Sequence, residues 1–251
     1  MSQPSAEQRL ELAKIWIALG RHRSRDLYRL PARLVNAADL DRIARLSQEM
    51  ADIVDCDPAS AAKYPDYNYW IPYNVLRIGR LALHRSPALR ILDVGSGPGY
   101  FIAAAQACGH DCHGIDAPAG ALTEVEARVY SEMLAALGCS HRVSTLLVER
   151  FQPMSLSFGR LDLITAFSVC FNRHHQPDEW GVAEWRFWVE DALSHLAQGG
   201  ALHLELNPNP ARYGKLEFYD QPTLDYFRSI GKVQHNIVRI TRGKPGECQT
   251  A

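Results

Sequence analysis

Residues 90 to 116, RILDVGSGPGYFIAAAQACGHDCHGID, constrain the fold more than any other stretch of the chain. A short apolar run, Ile91 and Leu92, ends at Asp93, and the chain then passes three glycines spaced by two, Gly95, Gly97 and Gly99. An Ala-rich segment follows at helical spacing from 101 to 108, and a second strand-like run from 112 to 115 ends on Asp116. The order is strand, glycine turn, helix, strand, acid. Such a βαβ unit suits a nucleoside: glycines reach positive φ and let backbone approach a ligand, a helix N-terminus supplies N–H groups, and an acid about 20 residues on accepts ribose hydroxyls.

Spacing decides which nucleoside. A dinucleotide fingerprint, G-x-G-x-x-G, would need its third glycine at position 100, which holds Tyr100. The pattern is instead D-V-G-S-G-P-G, an acid two residues ahead of G-x-G-x-G, and that acid suits a cationic or amino-bearing ligand better than a pyrophosphate. The alternative is a glycine-rich turn in a purely structural βαβ unit. The stretch resembles motif I of the class I S-adenosylmethionine (SAM)-dependent methyltransferases. The resemblance implies an α/β, Rossmann-like class I methyltransferase fold, a mostly parallel sheet flanked by helices, with SAM as cofactor. It also implies that Gly95, Gly97 and Gly99 wrap the methionine and ribose, that Asp93 lies near the amino group, and that Asp116 holds the ribose.

Charge narrows the partners. With 27 basic against 28 acidic residues and no Lys/Arg run, the chain shows no basic face for nucleic acid, which makes a small-molecule acceptor the expectation. The six cysteines are scattered, mostly in apolar surroundings, and read as reduced core thiols of a cytoplasmic protein. No run approaches the roughly 20 apolar residues of a membrane span, and the N-terminus reads as an amphipathic helix rather than a leader, so no membrane association is expected. The sequence leaves a homodimer open.

Residues 1 to 85 read as a helical N-terminal cap with an aromatic lid segment, and 86 to 251 as the SAM-binding methyltransferase domain. A helix over 6 to 19 would put Leu10, Ala13 and Ile17 on its apolar face, with Trp16 beside them. The arginine-rich stretch from 21 to 33 reads as a solvated connection. A helix over 38 to 54 would turn Ile43, Met50 and Ile53 or Val54 inward. Five aromatics between 64 and 73, interrupted by Pro65 and Pro72, predict a shaped loop. In similar methyltransferases the segment before motif I covers the cofactor and walls the acceptor pocket, which assigns Tyr69 and Trp70 to substrate. The other reading is that these aromatics pack the cap onto the sheet. A helix over 74 to 84 leads into the first strand.

Beyond Asp116, Leu122, Val125, Val129 and Met133 predict a helix over 119 to 137, ended by Gly138. Residues 143 to 148 read as a buried strand with Glu149 at its carboxyl end, and the family's pattern makes Glu149 the adenine contact. The run 161 to 167, LDLITAF, resembles the family's fourth strand, beginning with Asp162 and ending on Phe167, a further cofactor contact. A helix over 178 to 197, a Gly199-Gly200 turn and a strand over 201 to 206 continue the resemblance. Past Pro210 the pattern predicts a short strand over 216 to 219, a helix over 223 to 230 and one strand over 232 to 241. A complete family sheet has seven strands, so the closing hairpin is expected to be abbreviated or displaced.

Methyl transfer from a sulfonium needs alignment in a dry site rather than a metal or a covalent intermediate, and a base chiefly when the acceptor is a hydroxyl. Open α/β sheets bind ligands outside the carboxyl ends of their strands, so the segment after the fourth strand supplies the candidates. His174 and His175 are the catalytic candidates, with the alternative that both are ordinary loop histidines. Asn172 and Arg173 would orient the acceptor, and Asn207 in the turn Asn207-Pro208-Asn209-Pro210 would line its pocket. That turn is not the N-P-P-Y loop of amino-directed methyltransferases, which follows the fourth strand and ends in an aromatic. The Cys108, His110, Cys112, His113 cluster lacks the spacing of a structural zinc site, and no metal is expected. The function implied is SAM-dependent methylation of a small molecule, at oxygen. The alternatives are methylation of RNA or protein, and a SAM-binding regulatory protein without turnover.

Overall fold

A computed structural model describes residues 6–57, 60–168, 180–207 and 220–243. They form two compact units: residues 1–88, 96–114 and 118–144 in the first, and 89–95, 115–117 and 145–251 in the second. The chain crosses from the second to the first inside the glycine turn, between Gly95 and Ser96.

The first unit is helical. Helix α1 (Ala6–Arg21) turns Ile15 and Leu19 inward and leaves Leu10 at 56% and Ile17 at 61% exposure, so the predicted apolar face is the outer one. The arginine-rich stretch is not a connection. From 25 onward it is helix α2 (Arg25–Ala37), capped by Ser24, because Leu27, Leu30, Pro31 and Leu34 recur at helical spacing and are buried while the arginines between them face outward. The helix expected over 38 to 54 is two, α3 (Leu40–Glu49) and α4 (Ala51–Cys56), parted at Met50, which takes φ −91° and ψ −4° and buries its side chain.

The predicted aromatic loop is largely helix α5 (Tyr67–Arg80), with Pro72 inside it. A proline at this place leaves the carbonyl four residues back without its helical partner. That residue is Asn68, which is exposed, so water can serve the carbonyl and the helix continues.

Strand β1 (Arg90–Val94), helix α6 (Tyr100–Ala107) and strand β2 (Asp111–Asp116) fall where the sequence put them. Helix α7 (Glu124–Ala136) opens with a capping box, Thr123 and Glu126, and the chain leaves it through Gly138 at φ +69°. The strand expected over 143 to 148 is only β3 (Val143–Thr145), mostly exposed, so its apolar residues bury less than a core strand would.

In the second unit β4 (Leu161–Phe167) matches its expectation, and helix α8 (Val182–His195) delivers Trp185, Trp188, Val189 and Ala192 to the core. Strand β5 (Leu196–Glu205) begins before the two glycines rather than after them. A Cβ at Gly200 would stand 3.1 Å from the carbonyl oxygens of Leu161 and Asp162, so glycine lets β5 approach β4 through the register shift at their start. Helix α9 (Gln221–Ile230) is capped by Asp220. The single strand expected over 232 to 241 is a hairpin, β6 (Lys232–Gln234) and β7 (Ile237–Thr241), turning at His235 with φ +54°.

The seven strands among the described residues form one sheet in the order β3-β2-β1-β4-β5-β7-β6. β1, β4 and β5 pair in parallel, and β7 runs antiparallel to both β5 and β6. The closing hairpin is thus in place, with β6 only three residues long. The short strand predicted over 216 to 219 lies outside the described residues.

Candidate donor site

The glycine turn adopts the conformation its composition requires. Gly95, Gly97 and Gly99 take φ of 68°, 50° and 81°, a region that costs L side chains roughly 1–2 kcal/mol. The Gly95 amide donates to the Ile115 carbonyl at 2.8 Å, which sets Asp116, the next residue, beside the start of the turn. The Gly99 amide donates to the Ser96 carbonyl at 3.1 Å and Gly99 is the N-cap of α6, so the turn ends on a helix N-terminus.

Two residues unmarked in the sequence complete the turn. A Cβ on Gly114 would stand 2.6 Å from Ser96 Oγ and 2.6 Å from Ile102 Cδ1, so β2 carries glycine there to let the turn close over it. Ser96 is 8% exposed, and among the described residues its hydroxyl oxygen has no hydrogen-bond partner.

Both acids of the βαβ unit are fixed. Asp93 is buried and accepts a 2.7 Å hydrogen bond from Thr165 Oγ1 of β4. Asp116 is half-buried, and its Oδ1 accepts from the Ala117 amide at 2.8 Å, which orients the carboxylate. The sequence pattern did not mark Thr165; its signal is a lone hydroxyl residue in the apolar run LDLITAF.

Tyr64, Tyr69, Trp70, Tyr73 and Tyr130 of the first unit form one cluster. Tyr64 lies 4.7 Å from Trp70 and 5.9 Å from Tyr130, Tyr69 stacks on Tyr73 at 5.8 Å, and Trp70 Nε1 donates to the Lys63 carbonyl. Tyr69 and Trp70 are half-buried within it. The Tyr100 hydroxyl donates to the Tyr64 carbonyl at 2.7 Å, tying the start of α6 to the chain entering α5. Burial, with the Asp66 charge adding to it, holds that phenol well above its ordinary value, so Tyr100 stays a neutral donor. Burial likewise raises the Asp66 carboxyl, opposed by the Tyr69 and Asn68 amides. A Cβ on Gly97 would stand 3.7 Å from the Tyr130 ring, an ordinary contact, so it is φ rather than space that demands glycine.

The remaining candidates are dispersed. Phe167 ends β4, buried, with its ring 5.7 Å from that of His203. Glu149 is exposed, four residues past the end of β3. Asn207 Nδ2 donates to the Ser168 carbonyl at 2.7 Å, joining the chain after β5 to the chain after β4, where Ser168 takes φ +56°. Asn172, Arg173, His174 and His175 lie outside the described residues. In the cysteine and histidine cluster, His110 bonds the Leu83 carbonyl and His113 pairs with Asp111. Among the described residues no three metal-ligating side chains converge, and no helix is long and apolar enough to cross a membrane.

The arrangement fits an adenosyl sulfonium. Left-handed glycines, a helix N-terminus and a buried hydroxyl without a partner among the described residues follow one another along the chain, with one carboxylate two residues ahead of the first glycine and another closing the next strand. The solved structures similar to this chain include an O-methyltransferase family protein from Burkholderia thailandensis, at 14% identity and TM-score 0.42, covering 72% of this chain and 61% of that one. A second is the amino pentose methyltransferase CalS10 from Micromonospora echinaspora, bound to SAM, at 26% identity and TM-score 0.39, covering 57% and 53%. A third is the glycopeptide N-methyltransferase MtfA complexed with SAM, at 14% identity and TM-score 0.44, covering 67% and 93%. The chain thus spans less than two thirds of the first two. No curated protein sequence matches it. A family model described as a methyltransferase domain matches residues 32–225, most of the chain. The chain therefore belongs to this methyltransferase family, whose methyl donor is S-adenosylmethionine.

Proposed function

We propose that this protein transfers the methyl group of SAM to oxygen of a small-molecule acceptor. The observation that carries the reading is the glycine turn: three left-handed glycines between a buried acid, Asp93, and an acid oriented at the end of β2, Asp116. The near-balanced charge, 27 basic against 28 acidic residues, favours a small acceptor over nucleic acid.

In this reading Asp93 faces the donor's amino group, kept in place by Thr165, and Asp116 accepts from the ribose hydroxyls. Gly95, Gly97 and Gly99 let the backbone approach closely, and the Ser96 hydroxyl completes the cradle. When bound, the donor supplies an electrophilic methyl carbon. The protein's task is alignment and exclusion of water, worth several kcal/mol of the barrier.

Calorimetry with SAM and its demethylated product tests the donor site. Gly97→Val should abolish binding, because a β-branched residue is strained at φ +50°. Asp116→Ala should weaken it by about 10- to 100-fold, the loss of a charge-assisted hydrogen bond. Undiminished binding in both variants overturns the assignment.

A further inference from the structure

We propose that Glu205 is the base that takes the acceptor's proton, with His203 as its positioning residue, and that the acceptor is an aromatic hydroxyl. The inference rests on the methyl-transfer reading above. Register places Asp93 of β1, Thr165 of β4 and His203 of β5 in one row across the sheet. Residues paired directly across strands project to the same face, and the Thr165 to Asp93 hydrogen bond shows the first two doing so. Two residues further along, Phe167 pairs with Glu205, and the Phe167 and His203 rings stand 5.7 Å apart. Period two therefore sets Phe167, His203 and Glu205 on the face that carries Asp93.

Burial makes this row unusual. His203 is 7% exposed and Glu205 is 6% exposed, in strands where apolar residues are the rule on both faces. Glu205 is the last residue of β5, at the carboxyl ends of the strands, where open α/β sheets bind ligands. The row begins at the acid that leads into the glycine turn and ends on a second acid at the sheet's ligand-binding edge.

The chemistry of the base selects the acceptor. A carboxylate, ordinarily near 4.3, is far too weak to deprotonate an aliphatic alcohol but lies within about six units of a phenol. Phe167 adds an aromatic surface opposite Glu205. As the acceptor oxygen bonds to the methyl carbon, the carbon–sulfur bond breaks with its electron pair passing to sulfur. The hydroxyl proton goes to a Glu205 carboxylate oxygen and then to solvent.

Two probes test this at pH 8: 4-nitrophenol, largely ionised there, and 4-methoxyphenol, which is not. Glu205→Gln should slow methylation of 4-methoxyphenol by about 10²- to 10⁴-fold and leave 4-nitrophenol within about threefold. Added formate should restore 4-methoxyphenol turnover to Glu205→Ala, and His203→Gln should show a smaller loss with the same selectivity. Equal losses on both phenols overturn the proposal, as does the selectivity appearing in His174→Ala or His175→Ala instead. Wild type that binds SAM by calorimetry and methylates neither phenol overturns it too. Wild type that binds no SAM overturns the methyl-transfer reading itself.

Discussion

The two faces of the sheet in the second unit differ more than the fold requires. One carries Leu92, Val94, Ile164, Ala166, Leu202, Leu204, Val238 and Ile240 and packs in a continuous apolar cluster with Trp180, Trp185, Trp188 and Phe227. The tryptophans meet edge to face, Trp180 to Trp185 at 5.4 Å and Trp185 to Trp188 at 5.8 Å. The same strands turn Asp93, Thr165, His203 and Glu205 to the opposite face. Parallel strands covered on both faces are ordinarily apolar throughout. A buried polar row costs stability unless each group is bonded, so the two faces ask different things of the fold: one is apolar throughout, whereas the other sets the polar row among Ile91, Leu163 and Ala201.

Truncation on the apolar face should have the largest effect on stability. Trp188→Ala removes a side chain only 1% exposed from the centre of the cluster and should destabilise by about 3–5 kcal/mol, read by denaturant unfolding, with no change in SAM affinity of the folded fraction. A drop in affinity equal to that of a donor-site variant would break the separation of the two faces.

Thr165→Val comes next. It keeps the shape and removes the donor to Asp93, leaving a buried carboxylate short of a hydrogen bond at a cost of about 1.5–3 kcal/mol. SAM affinity should fall with stability here, since Asp93 loses the group that orients it. Calorimetry alongside unfolding checks both, and unchanged affinity would remove Asp93 from the donor site.

How far the sequence revealed these faces follows from how local each signal is. The segment through β1, α6 and β2 was legible because its glycines and acids lie within one contiguous stretch, and β4 because LDLITAF is uninterrupted. Arginines hid the Leu27, Leu30, Leu34 stripe of α2, Pro72 hid α5, and a left-handed His235 split one apparent strand into β6 and β7. The polar row was illegible for a different reason. Asp93 and Thr165 are 72 positions apart, and His203 and Glu205 become their neighbours only through strand register, which composition and periodicity do not specify. Within ALHLEL the alternation itself was visible, two polar residues two apart in a core strand, but their partners were not.

The smallest expected change in stability is also the sharpest test of the comparison. His203→Leu replaces a buried imidazole with an apolar side chain of similar volume, on the face that should not need it for folding. Swapping a buried polar group for an apolar one of like shape is close to neutral only where its partner is replaced as well, so stability should fall by about 1 kcal/mol, the low end of the cost of leaving a neutral partner unmatched. Methylation of 4-methoxyphenol should nonetheless fall by at least about tenfold, since Glu205 loses the group that positions it. A stability loss comparable to that of Trp188→Ala would mean that the polar row holds the sheet together. An unchanged rate would mean that His203 does nothing for the acid two residues away.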